Sequence, residues 1–113
     1  MAELSGNAEE KIERLQLLEQ NLQSFMLQKQ NFQMQLVEVE SALAELGTTD
    51  SAYKIVGNIM VASKKEKLKE ELEEKKRMLE LRINSLEKQE ERLKEKAKQT
   101  QTEVLEEMHK KEH

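Results

Sequence analysis

Apolar side chains recur along residues 15–46 at alternating intervals of three and four. Nine of the ten positions in this series are apolar, and such spacing over more than four heptads is typical of a left-handed coiled-coil seam. Gly47 stands where helices commonly end in the left-handed conformation. The pattern therefore predicts a long helix over residues 8–46. The ten seam positions are Leu15, Leu18, Leu22, Phe25, Lys29, Phe32, Leu36, Val39, Leu43 and Leu46.

Lys29 is the one seam residue that is not apolar. A lysine can lay its methylene stem along a seam while its ammonium group reaches water, and we favour this interpretation. The alternative is a polar contact that fixes the register of the two helices, which is a known role of single polar seam residues.

A second helical pattern begins at Ser63, which forms an S-x-x-E capping box with Glu66. Leucines then recur, the last four at intervals of seven, and predict a helix over residues 63–110. Its seam is thinner than the first, because the complementary positions are polar. The leucines are Leu68, Leu72, Leu79, Leu86 and Leu93, the polar positions are Lys75, Arg82, Gln89 and Lys96, and Ile83 and Ala97 widen the stripe.

Two long helices with a short connection are expected to fold back as an antiparallel coiled coil. If Leu46 lies level with Lys64, the numbers of facing residues add up to 110, and Leu15 lies near Glu95. Both chain termini then meet at one end of the coiled coil, and the connection lies at the other.

The connection, residues 52–62, is unlike either helix. Its segments "AYKIV" and "IMVA" flank the pair Gly57 and Asn58, and β-branched residues around such a pair are a strong signal for a β-hairpin. Both faces of this hairpin are mostly apolar, and an isolated two-stranded hairpin is at best marginally stable in water.

The hairpin also has two edges with unpaired N–H and C=O groups. We therefore expect it to pair with hairpins of other chains, and closure into an oligomeric β-barrel would remove these edges. A flexible connector is the alternative, but connectors are polar and rich in Gly and Ser. The residues expected to drive assembly are Tyr53, Ile55, Val56, Ile59, Met60 and Val61.

Composition supports a mostly α-helical protein. The chain has 113 residues, of which 37% are charged and 3% aromatic, and it contains no Pro, Cys or Trp. This composition fits a coiled coil better than an ordinary globular core, and the lack of cysteine is compatible with the cytoplasm, where we expect the protein. The start "MAELSGNAEEK" does not resemble a signal peptide, and no apolar run is long enough to span a membrane. Residues 51–113 carry a net charge of only +2, which argues against a nucleic-acid surface.

Catalytic and cofactor chemistry is not indicated. No phosphate-binding G-x-x-x-x-G-K-[ST] loop occurs, and His109 with His113 supplies two potential zinc ligands without a third. Adjacent glutamates such as Glu70 and Glu71 point in different directions on a helix, which is typical of a solvated face. We therefore predict no enzyme activity, no metal and no cofactor.

The order helix, single hairpin, helix resembles the archaeal beta-type subunits of the prefoldin family. The resemblance covers nearly the whole chain and lies in "LQKQNFQMQLVEVESALAEL", "AYKIVGNIMV" and "LKEELEEKKRMLELRINSLEKQEERL". Alpha-type subunits carry two hairpins, whereas this chain has room for one. The resemblance implies one prefoldin-like domain over residues 1–113. It also implies a hexamer of two alpha-type and four beta-type subunits, whose hairpins build a double β-barrel. Such a complex holds non-native proteins at the coiled-coil ends, without ATP hydrolysis, and delivers them to a group II chaperonin.

The candidate site for non-native proteins is the end where the chain termini meet. Exposed apolar side chains on helix ends can contact many unfolded segments, because the hydrophobic effect has no directional requirement. The alternative is that the same residues complete the coiled coil, which is equally plausible for Ile12 and Leu15. A second function also remains open, in which the chain is a structural scaffold or adaptor that docks one folded partner. The candidate residues, called the tip residues below, are Leu4, Ile12, Leu15, Val104, Leu105 and Met108.

Overall fold

The computed structural model describes residues 6–111. Helix α1 spans Gly6–Leu46, strand β1 spans Ala52–Val56, strand β2 spans Ile59–Ser63, and helix α2 spans Lys65–Lys111. The two strands form one antiparallel sheet. This confirms the predicted fold class of two long helices with a single hairpin between them. No helix among residues 6–111 is long and apolar enough to cross a membrane.

The described residues form two compact units. The terminal unit contains residues 6–28 of α1 and 85–111 of α2, and the hairpin unit contains residues 29–84. Within each unit the side chains of α1 contact those of α2. The interhelical pairs are Lys11 with Glu103 and Glu107 in the terminal unit, and Glu40 with Lys76 and Phe32 with Arg82 in the hairpin unit.

The seam predicted for α1 is confirmed. All ten predicted positions are buried or half-buried, and Val39 and Leu46 are the most deeply buried of them. The same alternation of three and four continues back through Lys11 to Ala8, which is also buried. The seam of α1 is therefore longer than the apolar pattern indicated, because it includes a small residue and a charged one.

The seam predicted for α2 is correct at its leucines but wrong at the positions between them. Lys75, Arg82 and Lys96 are exposed, and Gln89 is half-buried. The seam instead passes through the following residue in each heptad, which places Ile83, Ala97 and Val104 against α1 and leaves Lys75, Arg82 and Lys96 in water. The complementary seam positions of α2 are Lys76, Ile83, Glu90, Ala97 and Val104.

This shift has a local origin near the start of α2. Half-buried positions run from Lys65 through Leu68, Leu72 and Lys76 to the buried Leu79. Two steps of four therefore follow each other between Leu68 and Lys76, where a regular heptad pattern would have a step of four and then a step of three. Such an interruption is a stutter, which locally unwinds a coiled coil.

The facing register differs from the prediction by about one to two helical turns. In the interhelical pairs the two residue numbers add up to between 114 and 118, where 110 was expected. The expectation placed Leu46 level with Lys64, but Leu46 shares a hollow with Leu68. Part of the difference lies in the connection: β2 continues to Ser63, so α2 begins at Lys65, two residues later than expected.

Two helix ends also differ from the expected capping. Ser63 lies in β2 and pairs with Ala52, and the Leu68 N–H donates to the Lys64 oxygen at 3.0 Å, so the predicted cap at Ser63 is wrong. Helix α1 does end at Leu46, but Gly47 is not left-handed, since Gly57 alone among the described residues has a positive φ.

Candidate functional site: the hairpin and the helix ends

The hairpin has the register that a two-residue turn at Gly57 and Asn58 dictates. Val56 pairs with Ile59, Ile55 with Met60, and Lys54 with Val61 across a turn formed by Gly57 and Asn58. Gly57 has a φ of 61°, while Asn58 does not have a positive φ. A positive φ at the first central residue alone is the type II′ arrangement, whose twist matches that of the flanking strands. Glycine at this position therefore allows the tight connection that fixes which side chains share a face.

All six side chains predicted to drive assembly are exposed. Their exposed fractions range from 41% for Val61 to 68% for Ile55. Because side chains alternate between the faces of a strand, apolar groups are exposed on both sides of this hairpin. The described residues therefore leave much of both faces uncovered. The six are Tyr53, Ile55, Val56, Ile59, Met60 and Val61.

One ion pair joins the hairpin to α2. Lys54 Nζ donates to Glu71 Oε2 at 3.1 Å, and both side chains are a little under half exposed. An exposed pair of this kind contributes at most about 1 kcal/mol to stability. Its structural effect is to give the central residue of β1 a fixed contact with the second turn of α2.

A hollow of about 240 Å³ lies at the root of the hairpin. It opens between the end of α1, the start of β1 and the first turns of α2, and we call it the root hollow. Its floor is apolar, because Leu46 is buried and Leu68 and Leu72 of α2 are half-buried. Its lining combines apolar side chains with those of Glu45, Thr49 and Ser51, and consists of Ala42, Glu45, Leu46, Thr49, Ser51, Ala52, Tyr53, Leu68 and Leu72.

The tip residues are not equivalent in the terminal unit. Val104 is only 7% exposed, whereas Leu105 is 60% and Met108 is 44% exposed. Ile12 and Leu15 are half-buried. Leu4 lies outside the described residues. Val104 occupies the seam, whereas its neighbours Leu105 and Met108 are open, and contact of these residues with non-native proteins stays a prediction.

A charged cluster that the apolar pattern did not predict lies beside these residues. Lys11 Nζ lies 3.3 Å from Glu107 Oε1 and 3.8 Å from Glu103 Oε2. The side chains of Lys11 and Glu107 are each only 25% exposed, since both lie at seam positions. The signal was available, because Lys11 continues the alternation of three and four backwards from Leu15.

No metal-binding cluster is formed by the described part of the chain. His109 is exposed on α2, and His113 lies outside the described residues. Among residues 6–111, no three His, Cys, Asp or Glu side chains come together in a way that could hold a metal ion.

A family of proteins described as prefoldin subunits matches residues 9–111. The chain belongs to the prefoldin family. The prefoldin beta subunit of Archaeoglobus fulgidus is 40% identical over 104 residues, which cover 89% of this chain and 90% of that protein. The prefoldin beta subunit of Thermoplasma volcanium is 32% identical over 107 residues, covering 91% and 86%. The crystal structure of the prefoldin beta subunit from Thermococcus strain KS-1 superimposes with a TM-score of 0.84 at 34% identity, over 92% of this chain and 94% of that one.

Membership of the prefoldin family confirms the resemblance seen in the sequence. A prefoldin subunit is a chaperone component, is not an enzyme, and assembles with other prefoldin subunits. In this prefoldin chain, apolar side chains are exposed at the hairpin and near the end of α2, and others such as Leu27 and Leu81 are exposed along the helices.

Proposed function

We propose that this chain is a beta-type prefoldin subunit that binds non-native proteins without ATP and passes them to a group II chaperonin. It would act in the cytoplasm within a hexamer of two alpha-type and four beta-type subunits. The observation that carries the proposal is the exposure of Leu105 and Met108 near the end of α2, in a chain of the prefoldin family.

Assembly through the hairpin is supported by its exposed apolar faces. Burying a large apolar side chain contributes roughly 1.5–3 kcal/mol, so six such side chains on one hairpin provide a strong driving force for association. The strand edges favour the same outcome, because pairing with other hairpins satisfies their free N–H and C=O groups. Closure into a barrel would leave no edge to recruit further chains.

Contact with non-native proteins is supported by the chemistry of the open tip residues. Met108 has a flexible, polarizable side chain that adapts to differently shaped apolar partners. Leu105, three residues earlier on the same helix, adds a second apolar group. Each contact is weak, but several subunits acting on one unfolded chain multiply their contributions through effective concentration.

The direct test is the aggregation of a chemically denatured protein after dilution into buffer without ATP. The chain would be added alone and together with an alpha-type prefoldin subunit. We expect suppression of aggregation for several unrelated denatured proteins. Suppression of one protein only would instead favour the adaptor function. Transfer would be tested by adding a group II chaperonin with ATP and measuring the recovery of native protein.

A further inference from the structure

We propose that the root hollow is a socket for one apolar side chain of a neighbouring prefoldin subunit, so that the assembly interface extends beyond the hairpin strands onto the helix ends. This inference rests on the proposed assembly through the hairpin. It assigns a separate role to Ala42, Leu46, Leu68 and Leu72, which the hairpin argument does not use.

The size of the hairpin surface is the first argument. A large apolar side chain exposes on the order of 100 Å² when free, so six side chains exposed by about 60% offer roughly 400 Å². A stable interface buries about 800 Å² on each partner. Because only a little over half of such an interface is apolar, the six side chains supply most of its apolar part, and the remaining area comes from the hairpin backbone and adjoining surface, which includes the root hollow.

The position of the root hollow is the second argument. Tyr53 belongs both to the exposed hairpin side chains and to the lining of the root hollow. A neighbouring chain that packs on Tyr53 therefore also reaches the root hollow. The surface is continuous, and no other described element lies over it.

The shape and chemistry of the root hollow indicate what fills it. Its volume of about 240 Å³ exceeds that of an apolar cavity of about 150 Å³ that admits a benzene ring. The buried Leu46 and half-buried Leu68 and Leu72 form an apolar floor that water would hydrate poorly. One Leu, Ile, Met or aromatic side chain fits, and a folded domain does not. The occupant we assign is such a side chain from the subunit seated on the adjacent hairpin.

Two alanines on α1 allow a matched test. Ala42 lines the root hollow, and Ala44 is exposed and does not. Ala42→Leu fills the root hollow from within the chain, whereas Ala44→Leu adds the same atoms to an open surface. Both variants would be mixed with an alpha-type subunit, and the assembled mass would be measured by light scattering across a dilution series. We expect Ala42→Leu to dissociate at a protein concentration where the parent and Ala44→Leu remain assembled.

A labelling experiment on the same two positions tests occupancy directly. The chain contains no cysteine, so Ala42→Cys and Ala44→Cys each introduce a unique thiol. We expect maleimide to react about tenfold more slowly with Ala42→Cys after the alpha-type subunit is added, because thiol reactivity depends on exposure, while Ala44→Cys changes by less than about twofold.

Both results are required. Normal assembly of Ala42→Leu, or unchanged labelling of Ala42→Cys on assembly, overturns the socket. Circular dichroism of the free Ala42→Leu chain must match the parent, and a loss of helix shows internal damage, in which case the labelling result alone decides.

The assembly proposal is tested separately by charged substitutions in the hairpin. If those substitutions dissociate the complex and Ala42→Leu does not, only the socket is wrong. If Ala42→Leu assembles but holds denatured proteins poorly, the occupant is a non-native protein and the subunit socket is again wrong.

Discussion

Lys11 Nζ donates to Glu107 Oε1 across 3.3 Å, so an ion pair occupies the seam where α1 begins and α2 approaches its end. An apolar pair would be the usual choice at such positions. The packing of α1 on α2 at this point of the terminal unit therefore depends on charge, and so on salt concentration. The exposed Leu105 and Met108 lie on the same turns of α2 as Glu107.

Reversing this ion pair tests its contribution. Lys11→Glu should speed amide hydrogen exchange in the last turns of α2, because like charges then face each other at partly buried positions. Lys11→Glu combined with Glu107→Lys should recover most of the protection, with a coupling of about 1 kcal/mol that decreases as salt is added. Equal exchange in the single and double variants would show that the pair does not hold the two helices together.

Charge on the hairpin should prevent assembly. In the double variant Ile55→Asp with Met60→Asp, two carboxylates replace apolar groups that pair across the strands, and burying them is costly. We expect light scattering to show loss of the complex with the alpha-type subunit, while circular dichroism still reports helix. The control is Leu27→Asp with Leu81→Asp, which places two charges at equally exposed helix positions. A complex of unchanged mass in the hairpin variant would refute assembly through the hairpin.

Polar substitution of the open tip residues should weaken the hold on denatured proteins. Leu105→Ser with Met108→Ser removes the exposed apolar area near the end of α2, and the hairpin belongs to a different unit, so assembly should persist. Met78→Ser with Leu81→Ser is a matched control, because it changes an exposed Met and an exposed Leu at the same spacing on the same helix. Aggregation would be compared at equal concentrations of assembled complex. Similar suppression by both variants would move the client surface elsewhere.

Substitutions at Val104 and Leu105 should differ in their effect on stability. Val104→Ala removes two methyl groups from a seam and should destabilise the chain by about 1–2 kcal/mol, whereas Leu105→Ala at an exposed site should stay within about 0.5 kcal/mol. Thermal unfolding followed by circular dichroism checks the difference. If the two variants unfold alike, the burial of Val104 in the seam does not describe the protein in solution.

A substitution at Lys29 tests whether this residue sets the register of the two helices. Lys29 is half-buried at its predicted seam position in α1. Replacing it with Leu should raise the melting temperature by a few degrees and leave the partners unchanged, because the neighbouring heptads already fix the register. Mixed assembly states in light scattering would show instead that Lys29 selects the register.

The sequence predicts some parts of this structure better than others for physical reasons. The hairpin pairs follow from Gly57 and Asn58, since a two-residue turn determines every partner along both strands. The seam of α2 was ambiguous because leucines seven residues apart define one of its two rows, and the second row is only weakly apolar. In the second row, the apolar Ile83 and not the adjacent Arg82 marks the side of α2 that faces α1. The facing register depends on how far β2 extends before α2 begins, and pattern alone does not determine that length.

The candidate surfaces also differ in how far the sequence predicts them. The pairing of the hairpin follows from local turn chemistry, and the exposure of its apolar faces follows from there being too little chain around them to provide cover. Which tip residues are open depends on a one-residue choice of seam in α2, so Val104 and Leu105 could not be distinguished from sequence. The root hollow is formed by residues from α1, β1 and α2, and its existence follows only from their packing.

The stutter near the start of α2 has a consequence for how such proteins can vary. From Lys65 to Lys76 the seam makes three turns in eleven residues, or about 3.67 residues per turn, which is close to the period of a straight α-helix. This stretch has little tendency to wind around its partner, so the packing of the first turns of α2 on α1 does not depend on supercoiling. We therefore expect that matched whole heptads added to α1 before residue 29 and to α2 after residue 84 would leave the packing inside the hairpin unit unchanged.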